Sequence, residues 1–271
     1  MVHGSMLKAL LIATALGLAA LTAAADDVHP RRTPVVTPGP GLPRQLRLNV
    51  LRTLPHDPAA FTQGLLIHAG TFYESTGLQG KSSLRNVEID SGKVLRQVPL
   101  DKAFFGEGLA LAGERLVQLT WTTKKAFVYD LFSFQKIGEL AYDGEGWGLC
   151  FDGNHLVMSN GSDRLTFRDP QTFAVVRELA VTRAGKPLPR LNELECVGEL
   201  VYANVWTKDE IVAIDAKSGQ VTAQIDASGL LTPEESDAVD VLNGIAYDKR
   251  SGHFFITGKY WPKMFEVEFV Q

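Results

Sequence analysis

This sequence of 271 residues predicts an all-β chain built as a five-bladed propeller. Two observations carry the prediction. Short β-rich runs recur from Gln45 onward with turn formers between them, and one Gly-aliphatic motif returns along the chain at intervals of 40 to 49 residues. A third observation is negative. No stretch sustains the 3.6-residue periodicity of an amphipathic helix, and residues 233–238 have room for one helical turn at most.

The runs include LRLNVLRTL, TFYEST, LRNVEI, RLVQLTW, KAFVYDL, HLVMSN, RLTFRD, LVYANVW, EIVAID, HFFITG and MFEVEFV. Asp90-Ser-Gly, Ala112-Gly, Asp152-Gly, Lys217-Ser-Gly and Arg250-Ser-Gly separate them. Alternation bounded by such turns predicts antiparallel strands joined by hairpins. QGLLIHAGTFYEST, EGLALAGERLVQLT, WGLCFDGNHLVMSN, LECVGELVYANV and NGIAYDKRSGHFFIT share one template. It has a polar or aromatic leading residue, Gly-aliphatic, a tight turn, and a β-run ending in small polar residues. With Gly64, Gly108, Gly148, Glu195 and Gly244 as marks, the intervals are 44, 40, 47 and 49. Two further strands follow each unit, as in SLRNVEIDSGKVLRQV. Four strands per repeat of this length predict propeller blades. Residues 46–54 precede the first mark and are expected to complete the last blade, which removes the open edge of a repeat array. A pair of open β-sandwiches is the alternative.

The chain start has another texture. Lys8 precedes an apolar run from Ala9 to Leu21, then Ala23, Ala24 and Ala25, then Asp26 and Asp27. That is the pattern of a cleavable secretory signal over residues 1–25, too short to span a bilayer; an uncleaved anchor is the alternative. Five prolines between residues 28 and 44 make 26–45 an extended linker. Residues 46–271 are then the propeller, in a periplasmic or secreted protein with no membrane span after cleavage.

Composition narrows the function classes. The chain is 45% hydrophobic and 21% charged with a net charge of −4, so it is globular and has no electrostatic case for nucleic acid. Six His and two Cys show no zinc-finger or iron–sulfur spacing. There is no G-x-S-x-G, H-E-x-x-H or phosphate-binding loop. An exported protein permits a Cys150–Cys196 disulfide. The channel is expected to hold those inner strands apart, so two buried thiols are the expectation.

In a propeller the inner strands line the axial channel and the loops leading into them form one mouth. The template's leading residues should therefore converge: Phe61 and Gln63, Phe105 and Glu107, Trp147, Asn192, and Asn243. Trp121 and Trp206 end second strands, and Lys259 stands beside Tyr260 and Trp261. A carboxylate, amides and three Trp around one mouth make an apolar pocket with few polar fixtures. Glu107, between two glycines and after Phe104-Phe105, has no local cation, so desolvation would raise its pKa into general acid/base range. Each residue also has a plainer reading. Gly-Glu-Gly can be a bend with a solvated carboxylate, Gln63, Asn192 and Asn243 can bond loop backbone, the Trp can pack between blades, and Lys259 can be a solvated cation. Glu193 and Glu195 are expected on opposite faces of their strand, so that one points into the channel. Either can join an axial metal, with no ligand spacing to make that specific.

FTQGL, FFGEGL, QLTW, GWGL, LNELE, NVW, NGIA and TGKYWPKMFEV stand in this order from about Arg47 to Val270. In these motifs the chain resembles the glutamine cyclotransferases of plants and bacteria. That resemblance implies a five-bladed propeller converting N-terminal glutamine of peptides and proteins to pyroglutamate, with loss of ammonia. It makes Glu107 the acid/base residue and Phe61, Gln63, Phe105, Trp121, Trp147, Asn192, Trp206 and Lys259 the pocket lining. It implies no cofactor for catalysis, and a possible structural calcium or zinc in the axial channel with unplaced ligands. SNGS at 159–162 departs from the pattern and receives no role. The expected partners are peptides or proteins with N-terminal Gln, and the expected state is a monomer. Two other readings stay open: a non-catalytic envelope propeller binding a peptide or protein, and a metal-dependent lactonase-type hydrolase.

Overall fold

The computed structural model describes residues 41–271. The expected signal segment and residues 26–40 of the expected linker lie outside the described residues. Among the described residues regular structure begins at Arg44, just inside the stretch read as linker, with β1 (Arg44–Pro55). Then β2 (Thr62–His68), β3 (Thr71–Thr76), β4 (Ser83–Glu88) and β5 (Val94–Pro99) pair in chain order as an antiparallel sheet. A second such sheet holds β6 (Gly106–Ala112), β7 (Arg115–Thr120), β8 (Lys125–Asp130) and β9 (Lys136–Ala141). A third holds β10 (Leu149–Phe151), β11 (Leu156–Met158), β12 (Arg164–Arg168) and β13 (Val175–Ala180). After the ribbon β14 (Thr182–Arg183) and β15 (Lys186–Pro187) come β16 (Leu191–Val197), β17 (Leu200–Val205), β18 (Glu210–Asp215) and β19 (Val221–Asp226). The predicted helical turn is α1 (Pro233–Ser236), closed by a capping box of Thr232 and Glu235. Last come β20 (Leu242–Asp248), β21 (His253–Gly258) and β22 (Lys263–Val270).

The first strand completes the last sheet, as residues 46–54 predicted. β1 runs antiparallel to β22 from Arg47 opposite Val270 to Pro55 opposite Lys263. It also runs parallel to β19 and so joins the last two four-stranded groups. The first strands β2, β6, β10, β16 and β20 neighbour one another in cyclic order. The architecture is all-β and propeller-like.

Local chemistry explains the repetition. Leu65, Leu109, Leu149, Leu194 and Ile245, the aliphatic of each template, are all buried and seal one sheet to the next. Truncating one to Ala would cost about 2–5 kcal/mol. Outer strands β5, β9 and β13 instead lie at the surface, with exposed residues predominating. Turns from third to fourth strand reuse one device: Asp130, Asp169 and Asp215 each accept the N–H three residues on, at 2.7 Å.

The template glycine has a spatial reason. A Cβ on Gly148 would stand 2.0 Å from the Asn192 carbonyl oxygen, and one on Gly108 2.5 Å from the Leu149 nitrogen. Neighbouring inner strands crowd there, and only a missing side chain admits the backbone. The register also corrects the fourth mark. Leu194, not Cys196, occupies the place of Leu65 and Leu109, so Glu193 rather than Glu195 stands where the other repeats have glycine. Its side chain crosses the axis: Oε1 accepts from the Leu65 N–H at 3.2 Å and Oε2 from the Ile245 N–H at 2.8 Å.

Two more expectations fail here. Glu193 and Glu195 do not take opposite faces, because residues two apart on a strand share one. Glu195 accepts the Tyr247 N–H from β20, the strand that also donates to Glu193. The cysteines are not free thiols either: Cys150 on β10 and Cys196 on β16 form a disulfide with Cα atoms 5.5 Å apart. The channel does not separate these strands; they press together, as Gly148 already shows. Among the described residues no helix is long and apolar enough to cross a membrane.

Candidate active site

At the leading ends of the inner strands lies a cavity of about 350 Å³. Phe61, Gln63, Phe105, Glu107, Trp121, Trp147, Asn192, Trp206 and Lys259 line it, which is every residue the resemblance implied. Asp240 joins them, while Asn243, expected at the same mouth, stands behind Gln63. Backbone irregularity delivers several of these side chains. β2, β6, β16 and β20 each shift register just before the sealing aliphatic residue, at Gln63, Glu107, Asn192–Glu193 and Asn243. A bulge re-aims a side chain that regular pleating would bury in the sheet interface.

Glu107 is buried, and its Oε1 accepts from Gln63 Nε2 at 3.1 Å. Asn243 sets the orientation of that amide. Its Nδ2 donates to Gln63 Oε1 at 3.1 Å and to the Thr62 carbonyl at 2.9 Å. Burial pushes the Glu107 carboxyl well above the usual carboxylate range; the Lys259 ammonium pulls it back and the Glu145 charge adds to the rise. The cation that the sequence around Glu107 lacks thus arrives from the end of β21. Lys259 is not solvated: it is 6% exposed, with Nζ 4.7 Å from the Phe61 ring centroid. Burial lowers its pKa, against the pull of Glu107.

A buried polar network holds the loop that presents Phe61 and Gln63. Glu74 Oε1 accepts from Thr62 Oγ1 at 2.7 Å and lies 3.0 Å from His56 Nε2, while Arg85 pairs with Asp57 at 2.8 Å. Burial alone would lower the His56 pKa, but Glu74 and the Trp261 carbonyl outweigh it and keep the ring above its usual range.

Aromatic rings form the walls in two runs. Tyr260, Phe61, Phe105 and Trp121 follow one another at centroid distances of 5.2, 6.0 and 5.7 Å. Trp147 and Trp206 meet edge to face at 5.5 Å. The segment SNGS, given no role from sequence, positions the second run. Ser159 Oγ donates to the Asn192 carbonyl at 2.6 Å and accepts from the Gly148 N–H at 2.8 Å. Gly161, at φ +77°, leaves the Trp147 ring room that a Cβ would fill at 2.7 Å.

The two carboxylates expected near an axial metal are already bonded to main chain. Glu193 and Glu195 are committed to backbone N–H donors, and among the described residues no three His, Cys, Asp or Glu side chains gather.

Residues 14–269 match the profile of the glutamine cyclotransferases. The chain belongs to the glutamine cyclotransferase family. It is 44% identical over 230 residues to a glutaminyl-peptide cyclotransferase of Arabidopsis thaliana, a match covering 83% of this chain and 72% of the plant protein. Its fold matches the crystal structure of Myxococcus xanthus glutaminyl cyclase with a TM-score of 0.77 and 40% identity, covering 84% of this chain and 98% of that one. Within this cyclotransferase, sequence reasoning missed Asp240 and Glu145. Asp240 sits in an irregular loop with no template to flag it. Glu145 had a signal, since it stands two residues before Trp147 in GEGWGL.

Proposed function

We propose that this chain is a glutaminyl-peptide cyclotransferase, converting N-terminal glutamine of peptides and proteins to pyroglutamate and ammonia, with Glu107 as acid and base. The buried Glu107 carboxyl, facing Lys259 inside an aromatic cavity, carries the reading. A free α-amine has a pKa of roughly 7.7–8.0, so a carboxylate raised above its ordinary range is matched to take a proton from it. The amine nitrogen attacks the side-chain amide carbon, closing the five-membered ring, while Glu107 accepts the amine proton. The same proton then passes from Glu107 to the departing amide nitrogen, and ammonia leaves as the lactam carbonyl re-forms. No water is consumed. The aromatic walls hold the glutamine in its folded-back conformer, which lowers the entropic part of the barrier.

The oxyanion needs a donor. The Trp121 and Trp147 indoles are engaged by Glu145 and the Gln63 amide by Glu107, which leaves the Asn192 amide, the Trp206 indole and the Lys259 ammonium for that task. Five four-stranded groups whose first strands meet in a cycle support a five-bladed ring. The apolar stretch before Ala25 supports export to the periplasm or medium, where we place the protein as a monomer working without a catalytic metal.

The test is ammonia release from a Gln-initiated dipeptide by the full chain, with and without a chelator. Equal turnover in both samples is the expected result. A folded protein that releases no ammonia would overturn the proposal in favour of a peptide-binding propeller.

A further inference from the structure

Glu145 lies on the exposed loop between β9 and β10, outside every element that builds the cavity floor. One of its oxygens, Oε2, accepts two indole hydrogen bonds, from Trp121 Nε1 at 2.7 Å and from Trp147 Nε1 at 2.9 Å. These two Trp belong to different aromatic runs. Trp121 ends the series Tyr260, Phe61, Phe105, Trp121, and Trp147 begins the pair with Trp206. The geometry points to Glu145 as a positioning residue that clamps the two halves of the aromatic wall into one substrate-binding surface.

The loop is built to deliver this carboxylate. Gly144 takes φ +81°, a left-handed turn that side chains disfavour. The Gly146 N–H donates to the Trp121 carbonyl at 3.0 Å, and a Cβ on Gly146 would stand 2.4 Å from the Tyr142 hydroxyl. The Trp147 N–H donates to the Ser159 carbonyl, also at 3.0 Å. Residue 145 is thereby pinned beside both indoles. Trp121 needs the clamp most: it is 40% exposed and, without an acceptor, an indole at the rim is free to turn about two side-chain bonds. A hydrogen bond to a charged acceptor is stronger than one to a neutral acceptor, and sharing one oxygen couples the two rings.

Glu145 touches none of the reacting atoms, so its contribution is orientation. The functional half of this inference rests on the cyclotransferase reading; the clamp itself does not. Two variants separate the clamp from the charge. Glu145→Gln keeps a carbonyl oxygen that can accept both indoles, whereas Glu145→Ala removes the acceptor. Near-UV circular dichroism should change in the Trp region for Glu145→Ala and stay close to wild type for Glu145→Gln. With a Gln-initiated peptide, Glu145→Ala should lose roughly tenfold in kcat/KM, more through KM than kcat, and Glu145→Gln should recover to within about twofold. Unchanged spectra and kinetics in Glu145→Ala would overturn the clamp, and so would equal damage in both variants. An inactive wild type would instead sink the cyclotransferase reading, with the spectra still deciding the clamp.

Discussion

The two ends of the inner strands make opposite use of buried acid. At the leading end, Glu107 receives one side-chain hydrogen bond and faces a lysine across a cavity. Below the cavity and toward the trailing end, Glu193 and then Glu195 are tied to the backbone of neighbouring strands, Glu195 beside a disulfide that joins β10 to β16. Burial pushes all three carboxyls up, so a raised pKa does not by itself mark a catalytic group. The difference lies in the partners. A carboxyl held by main-chain N–H groups is a strut; one held by a side-chain amide and facing a lysine across the aromatic cavity can exchange a proton.

The contrast predicts that changes at the leading end act on turnover and changes at the trailing end on stability. Glu107→Gln should lower ammonia release by about 10³-fold or more while thermal unfolding stays near wild type. A large loss of Tm in that variant would break the division. The double variant Cys150→Ser, Cys196→Ser should lose about 2–4 kcal/mol of stability, read by urea unfolding, because it frees a loop of sequence separation 46. Its kcat/KM at 25 °C should match wild type. Lys259→Met removes the charge that pulls the Glu107 pKa down, so the acidic limb of the kcat/KM profile should move to higher pH. At neutral pH the loss should be roughly tenfold.

The smallest effect comes from Glu195, whose pKa burial pushes up to about 8, against the pull of the Tyr247 N–H. A carboxyl raised on folding contributes stability that is complete below its unfolded pKa and is lost as pH rises through the folded value. Wild type should therefore lose more stability between pH 5 and pH 9 than Glu195→Gln, by about 1 kcal/mol or more. Parallel pH–stability curves for the two proteins would remove Glu195 from the trailing-end ledger.

Much of this was legible in the sequence because the fold repeats. Sealing aliphatics such as Leu109 and crowded glycines such as Gly148 recur at fixed offsets, and the cavity residues ride on them. What escaped depends on distances between strands far apart in the chain. Cys150 and Cys196 looked too far apart because no periodicity reports how closely inner strands approach. Glu193 was hidden by a register shift that moved the apparent repeat mark two residues along. Lys259 was legible as lining, but its pairing with Glu107 joins strands far apart in the chain. Asp240 and Glu145 stand on irregular loops outside the repeat template, Glu145 marked only by its place two residues before Trp147.

The pairing of β1 with β22 has a consequence in time. Arg47 is synthesised well ahead of its partner Val270. At about 5–20 residues per second, the β22 side of β1 stays unpaired for roughly 10–45 s while the local hairpins between the two strands, and the short parallel contact with β19, can already form. Closing the ring is therefore the late, long-range step of folding. Until β22 is delivered, the unfinished molecule carries an open strand edge that other chains can add to, and β22 serves as the latch that removes it.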